Sequence, residues 1–136
     1  MSAKETADRL SIVPLFKDCS ARQLRHIASR GHETTYPAGR TITEQGKLGD
    51  HFFVILEGRA DVKQQGRSLR RLGEGDFLGE IALVTKQPRT ATVTTASPVR
   101  ALVITDRDFR TLLKKSPAMQ LRVLEALAER LPPETL

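Results

Sequence analysis

Tryptophan is absent from this 136-residue chain, aromatic residues of all kinds make up only 4%, and cysteine occurs once, at Cys19. A lone cysteine excludes an internal disulfide and with it the disulfide-stapled secreted class, so a reducing compartment is the simplest setting. Cys19 itself reads as a small residue in a helical linker. The scarcity of aromatics means that a core has to be built from Val, Ile, Leu, Ala and the five Phe. No apolar run approaches the roughly 18 residues of a membrane span. The polar N-terminus, Met1 to Asp8, has no apolar stretch of the kind a secretory signal needs. A soluble, cytoplasmic protein without a membrane role is expected. The histidines, His26, His32 and His51, lack the close pairing that a metal site in a barrel requires, so structural roles are expected for them.

What is present is globular. Hydrophobic residues make up 39% and charged residues 28%, and a chain of this size buries roughly two thirds of its unfolded surface in one domain. The net charge of +6 suits an anionic partner, whether nucleic acid, surface or small molecule. The basic residues are nevertheless scattered along the chain. Only Arg67, Arg70 and Arg71 come close together, where a hairpin is expected. DNA binding by this chain alone is therefore not expected.

The chain divides into three zones: helical over 4–30, β over 32–105 and helical again over 106–131, all within one domain spanning 1–136. In the first, Ser20 reads as the N-cap of a helix carrying Leu24, Ile27 and Ala28 on one face, with Gly31 ending it as a C′ glycine. In the second, short segments rich in Thr, Val and Ile are punctuated by glycine, the pattern of a sandwich or jelly roll. His51 to Leu56 is apolar on both faces, as a strand inside a closed or two-layered barrel would be. Ala60–Gln64 and Ser68–Leu72 flank Gln65-Gly66 as a tight hairpin, and Thr90–Thr95 and Val99–Ile104 read as a second pair around Ser97-Pro98. In the third, Thr105 or Asp106 caps a short helix, and Ser116-Pro117 opens another with leucines at 121, 124, 127 and 131 as the face expected to pack on the barrel.

One stretch breaks the strand pattern. Gly75-Asp76-Phe77-Leu78-Gly79 leads into Glu80 to Val84, which favours a short helix, and Arg89-Thr90-Ala91-Thr92-Val93 follows after Pro88. A helix N-terminus presents unpaired N–H groups and partial positive charge to an anion. Gly79 permits close backbone approach, Arg89 supplies a full charge and paired donors, and Glu80 can accept from a sugar hydroxyl.

Leu78-Gly79-Glu80-Ile81-Ala82-Leu83, five residues, then Arg89-Thr90-Ala91-Thr92-Val93 resembles the phosphate-binding cassette of cyclic-nucleotide-binding domains, as found in the catabolite activator and in regulatory subunits of cAMP-dependent kinase. Val13-Pro14-Leu15-Phe16, Tyr36-Pro37-Ala38-Gly39 and Gly46 to Gly58 are similar to that family in the same order, so the likeness covers roughly 12–131. It implies a mostly β fold with flanking helices: an eight-stranded jelly-roll β-barrel with N-terminal helices, a short phosphate-cassette helix and two C-terminal helices. It also implies a ligand, cAMP or cGMP, with no cofactor or metal and no catalysis, and closure of the C-terminal helices over the barrel when the nucleotide docks. By position, Glu80 would accept the ribose 2′-hydroxyl with Gly79 beneath it, and Leu78 would belong to the same ligand-binding set. The N–H groups of Ile81 and Ala82 would bind the cyclic phosphate and Arg89 would pair with its exocyclic oxygen. Thr90 and Ala91 would add a hydroxyl and an N–H, Val62 would lie against base or sugar, and Arg122, or Leu121 or Leu124, would cap the base. Thr43 and Lys47 depart from the family pattern and are expected in a turn away from the cassette. A regulated protein or a second copy would engage the C-terminal helices. The competing reading, the ligand-binding part of a catabolite-activator-type transcription regulator, needs a helix-turn-helix that is not expected in the few residues after Pro132-Pro133. A cupin-like enzyme using Glu80 lacks its metal ligands.

Overall fold

Strand β3 (His51–Glu57) carries five consecutive buried residues, Phe52 to Leu56. A strand apolar at every position needs cover on both faces, because successive side chains point opposite ways. In the computed structural model, which describes residues 3–79 and 88–130, both covers are present. Phe52, Val54 and Leu56 join a cluster with residues of the helices, including Leu24, Ile27, Phe109 and Met119. Phe53 and Ile55 join a second cluster with Val62, Leu78, Val93 and Ala101.

The second cluster lies between two sheets. Among the described residues, eight strands form two antiparallel four-stranded sheets, ordered β1-β8-β3-β6 and β2-β7-β4-β5. The strands are β1 (His32–Tyr36), β2 (Thr41–Thr43), β3, β4 (Ala60–Gln64), β5 (Arg67–Leu72), β6 (Phe77–Leu78), β7 (Thr92–Thr95) and β8 (Val99–Thr105). Helices α1 (Ala3–Leu10), α2 (Ala21–Arg30), α3 (Asp106–Lys115) and α4 (Pro117–Arg130), with a 3-10 turn at Pro14–Phe16, complete the described elements. None of the helices is long and apolar enough to cross a membrane. The short helix expected from Glu80 falls within 80–87, outside the described residues.

Local chemistry explains most element ends. Ser20 and Gln23 form a reciprocal capping box at the start of α2. Thr105 Oγ1 accepts from Asp108 N at 3.2 Å to open α3, and Ser116 Oγ accepts from Met119 N at 3.2 Å to open α4, with Pro117 as its first residue. Gln65 and Gly66 both have positive φ, 51° and 78°, the conformation of a two-residue hairpin turn that matches strand twist.

Three expectations need correction. β7 and β8 are not a hairpin: β7 pairs with β2 and β4, whereas β8 pairs with β1 and β3 in the other sheet. The Ser97-Pro98 connection crosses between layers beside the Gly58-Arg59 connection, and the two are stitched together. Arg59 N donates to Ser97 Oγ (2.9 Å) and Ala96 N donates to Arg59 O (2.8 Å). Gly31 ends α2, but with extended backbone (φ −94°, ψ 165°) rather than left-handed. Its glycine is required by packing, since a Cβ there would lie 2.6 Å from Leu102 Cδ1. Nor do Leu121 and Leu124 of α4 pack on the barrel: they are 53% and 62% exposed, and among the described side chains the buried stripe is Met119 and Val123, while the Leu127 side chain and Leu131 lie outside the described residues. Met119 and Val123 are one turn apart on the face that meets the helix-side cluster.

Candidate functional site

The turn before β6 is built by Asp76, whose carboxylate accepts from Gly73 N (2.8 Å) while its own N–H donates back to Gly73 O (3.0 Å). Asp76 O and Gly75 N bond Ile55 of β3, each at 2.8 Å. β6 then pairs Leu78 with Phe53, which delivers Gly79 beside His51. Gly79 has φ +99°, and a Cβ there would stand 2.7 Å from both His51 O and Arg89 Nη1. Only glycine fits both the conformation and the space.

Arg89 is the centre of the arrangement. Its guanidinium donates from Nη1 to Gly79 O (3.1 Å) and from Nη2 to His51 O (2.6 Å). Its backbone is held as firmly, N donating to Lys47 O (2.8 Å) and O accepting from Gly46 N (2.9 Å). Gly49 closes the other side, where a Cβ would fall 2.0 Å from Arg89 Nε. The residue is only 7% exposed. Burial pulls its pKa below the usual arginine value, and the charge of Asp50 partly offsets this. The group remains a cation, because guanidinium does not deprotonate in proteins. Among the described residues no carboxylate forms an ion pair with it. Two neutral carbonyls orient the fork without cancelling its charge, leaving further N–H donors and an electrostatic demand for an anion.

The turn carrying Lys47, which follows Thr43 at the end of β2, is therefore not remote, contrary to expectation. It supplies both backbone partners of Arg89 and is tied to β7 by Gln45 N donating to Thr92 Oγ1 (3.0 Å). Thr43, Lys47, Gly49, Asp50 and Phe53, with Arg89, border a pocket of about 440 Å³. Sequence reasoning missed Gly46, Gly49 and the His51 carbonyl as parts of the site. The pair of glycines at 46 and 49 was the visible signal for them.

Of the residues expected to bind ligand, Leu78 is buried in β6, and Gly79 and Arg89 meet as described. Thr90 is exposed beside Arg89, and Ala91 is half-buried against the inter-sheet cluster. Val62 is buried in that cluster, opposite Val93. Glu80, Ile81 and Ala82 lie outside the described residues. Arg122 is not brought to Arg89's pocket: its Nη2 bonds Asp18 (2.7 Å) and its Nη1 bonds Glu125 (3.0 Å). Both carboxylates, Asp18 first, raise its pKa. Among the described residues no group of acidic, histidine or cysteine side chains could hold a metal ion.

With this geometry in hand, comparison with known proteins is informative. Residues 33–116 match the family model described as the cyclic nucleotide-binding domain. The chain is 35% identical over 121 residues to a cyclic nucleotide-gated potassium channel of Rhizobium etli, covering 89% of this chain and 34% of the channel. It is 40% identical over 117 residues to a cGMP-dependent protein kinase of Drosophila melanogaster, covering 80% of this chain and 12% of the kinase. The chain thus spans a minor part of these relatives. Among solved structures, PKAR CBD2 bound to Sp-2Cl-cAMPS superposes with a TM-score of 0.83 at 26% identity, covering 93% of this chain and 87% of that one.

Proposed function

This chain belongs to the cyclic nucleotide-binding domain family, and from that premise we propose that it is a non-catalytic sensing module for a cyclic mononucleotide, cAMP or cGMP. The observation that carries the reading is the buried, carbonyl-held guanidinium of Arg89 with no carboxylate against it among the described residues. An anionic phosphate oxygen suits this group, and a charge already desolvated and oriented gives up little on binding. In this reading Arg89 pairs with the exocyclic oxygen of the cyclic phosphate, and the N–H groups of Ile81 and Ala82 bind the same phosphate. Glu80, above Gly79, accepts the ribose 2′-hydroxyl, with Leu78 in the same ligand-binding set. Thr90 and Ala91 add a hydroxyl and an N–H, and Val62 lies against the base or sugar.

The frame is an eight-stranded jelly-roll barrel whose C-terminal helices, α3 and α4, close over the nucleotide. Closure needs a lid contact that exists only in the closed state, since a ligand shifts an equilibrium only by its differential affinity. For Arg122 to cap the base, its ion pair with Asp18 has to open. The exposed Leu121 and Leu124 support a further role for α4 as the face presented to a regulated protein or to a second copy. The module acts in the cytoplasm, and this chain alone is not expected to read DNA.

Thermal denaturation with cAMP, cGMP and a cyclic dinucleotide at matched concentrations tests this. A ligand that binds only the folded form adds about 2.7 kcal/mol when present at about a hundred times its Kd. A rise in midpoint with cAMP or cGMP is expected. No rise with either would contradict the proposal.

A further inference from the structure

Basic residues that are scattered in the sequence converge in the fold. Helix α2 carries Arg22, Arg25 and Arg30 with His26 and no acid, and α3 carries Arg107, Arg110, Lys114 and Lys115 against Asp106 and Asp108. Seven cations against two anions leave +5 on these helices, in a chain whose net charge is +6. Arg22, His26 and Arg30 recur every fourth residue on α2, as Arg107, Thr111 and Lys115 do on α3. Each set therefore lines one side of its helix over roughly 12 Å.

These two sides border one groove. Its polar half, about 480 Å³, is lined by His26, Arg30, Arg107, Asp108, Thr111 and Lys115. Its other half, about 380 Å³, has buried Ile27, Leu112 and Met119 as a floor, with Cys19 beside them and Arg22 and Lys115 at the rim. His26, Leu112 and Lys115 border both halves, so the groove is continuous. Arg22, Arg30, Arg107 and Lys115 are exposed, and among the described residues none of them is in an ion pair. Asp108 is the one acid among the described lining residues.

We propose that this groove docks an acidic helical segment of a partner protein, which seats one apolar side chain over Ile27, Leu112 and Met119 and sets carboxylates among Arg30, Arg107 and Lys115. The charge selects an anion, and the apolar floor selects a peptide over a nucleic-acid backbone. The sugar-phosphate backbone itself has no group of that chemistry, so a nucleic acid would have to unstack a base to reach the floor, whereas a helical peptide presents an aliphatic side chain without that cost. None of the lining residues belongs to the set proposed to touch the nucleotide, so peptide binding is measured on the nucleotide-free chain without relying on that reading.

The test uses the full 136-residue protein and fluorescence polarisation of a labelled alanine-based helical peptide. Its probe residues are one leucine followed by glutamates at one-turn spacing. Companion peptides carry lysine for glutamate or serine for leucine, and a twelve-nucleotide oligothymidylate serves as the nucleic-acid probe. The acidic leucine peptide is expected to bind and the lysine peptide not to. Serine for leucine should weaken binding, and Arg30→Glu with Lys115→Glu should weaken it by roughly tenfold or more. Both substituted positions are exposed, so an unchanged melting midpoint with intact nucleotide response confirms that the variant folds. Cys19, the only thiol in the chain, gives a second readout, because bound peptide should slow its alkylation by N-ethylmaleimide. No binding at about 1 mM peptide, equal binding of the lysine peptide, an unaffected double variant, or tighter binding of oligothymidylate than of the peptide would each overturn the proposal.

Discussion

A guanidinium 7% exposed and held, among the described residues, by main-chain carbonyls alone is an uncommon use of charge, because buried cations are ordinarily paired. Around Arg89 the chain spends two glycines, 49 and 79, on clearing room for the side chain. Their substitution separates binding from folding. At Gly49 the three atoms nearest an added Cβ all belong to the Arg89 guanidinium group, a side-chain end rather than backbone. Gly49→Ala should therefore leave the protein folded while turning the guanidinium away, with nucleotide affinity falling by roughly tenfold or more in calorimetric titration. Unchanged affinity would show that the side chain's orientation does not matter. Gln65 provides a contrast away from the site. It holds φ 51° without being glycine, and its N–H bond to Gln45 Oε1 (2.8 Å) does not depend on its own side chain. Gln65→Gly should raise stability by about 0.5–1 kcal/mol in urea unfolding, relief of left-handed strain outweighing the added chain entropy. Arg89 and Gly79 were legible in the sequence because their motif is short and local. The partners of Arg89 on 46–51 were not, since nothing in a linear pattern says which loop folds onto which.

Strand β3 shows how an element can be read correctly yet incompletely. Its unbroken apolar run identified a strand buried on both faces, and the structure assigns one face to the helices and the other to the opposing sheet. Phe52 is fully buried on the helix side and stacks on Phe109 of α3 at a centroid distance of 4.3 Å. Phe52→Ala should cost about 3–5 kcal/mol, read as a fall in both melting midpoint and urea midpoint. A cost under about 1 kcal/mol would mean that α3 is not docked as described. Caps and turns were legible because Ser20, Gln65-Gly66 and Ser116-Pro117 act over a few residues. Sheet membership was not. β7 and β8 alternate in the same way and are adjacent in sequence, and only their pairing with β2 and β4, or with β1 and β3, separates them. Leu121 and Leu124 of α4 misled because helical spacing identifies a stripe without saying which stripe faces inward.

At the scale of the molecule, one chain places two kinds of positive charge at different depths. Arg89 is buried in the pocket wall, whereas the cations of α2 and α3 stand in solvent along a groove. Salt should distinguish them. Exposed charges are screened once the Debye length drops to a few ångströms, and buried pairs much less. Raising ionic strength from about 0.05 M to about 0.5 M should weaken acidic-peptide binding by roughly tenfold or more, and nucleotide binding by about threefold or less. Equal sensitivity of the two would place both ligands on the same exposed surface. This convergence of α2 and α3 could not be read from the sequence, where their basic residues are more than seventy positions apart.

The central claim is that the buried guanidinium of Arg89 binds the cyclic phosphate. Isothermal titration of cAMP and cGMP into the native chain and into Arg89→Ala, with melting curves confirming that both are folded, tests it most directly. A loss of about 2–5 kcal/mol of binding free energy is expected in the variant, the cost of removing one partner of a buried charged pair. Equal affinities in the two proteins would contradict it.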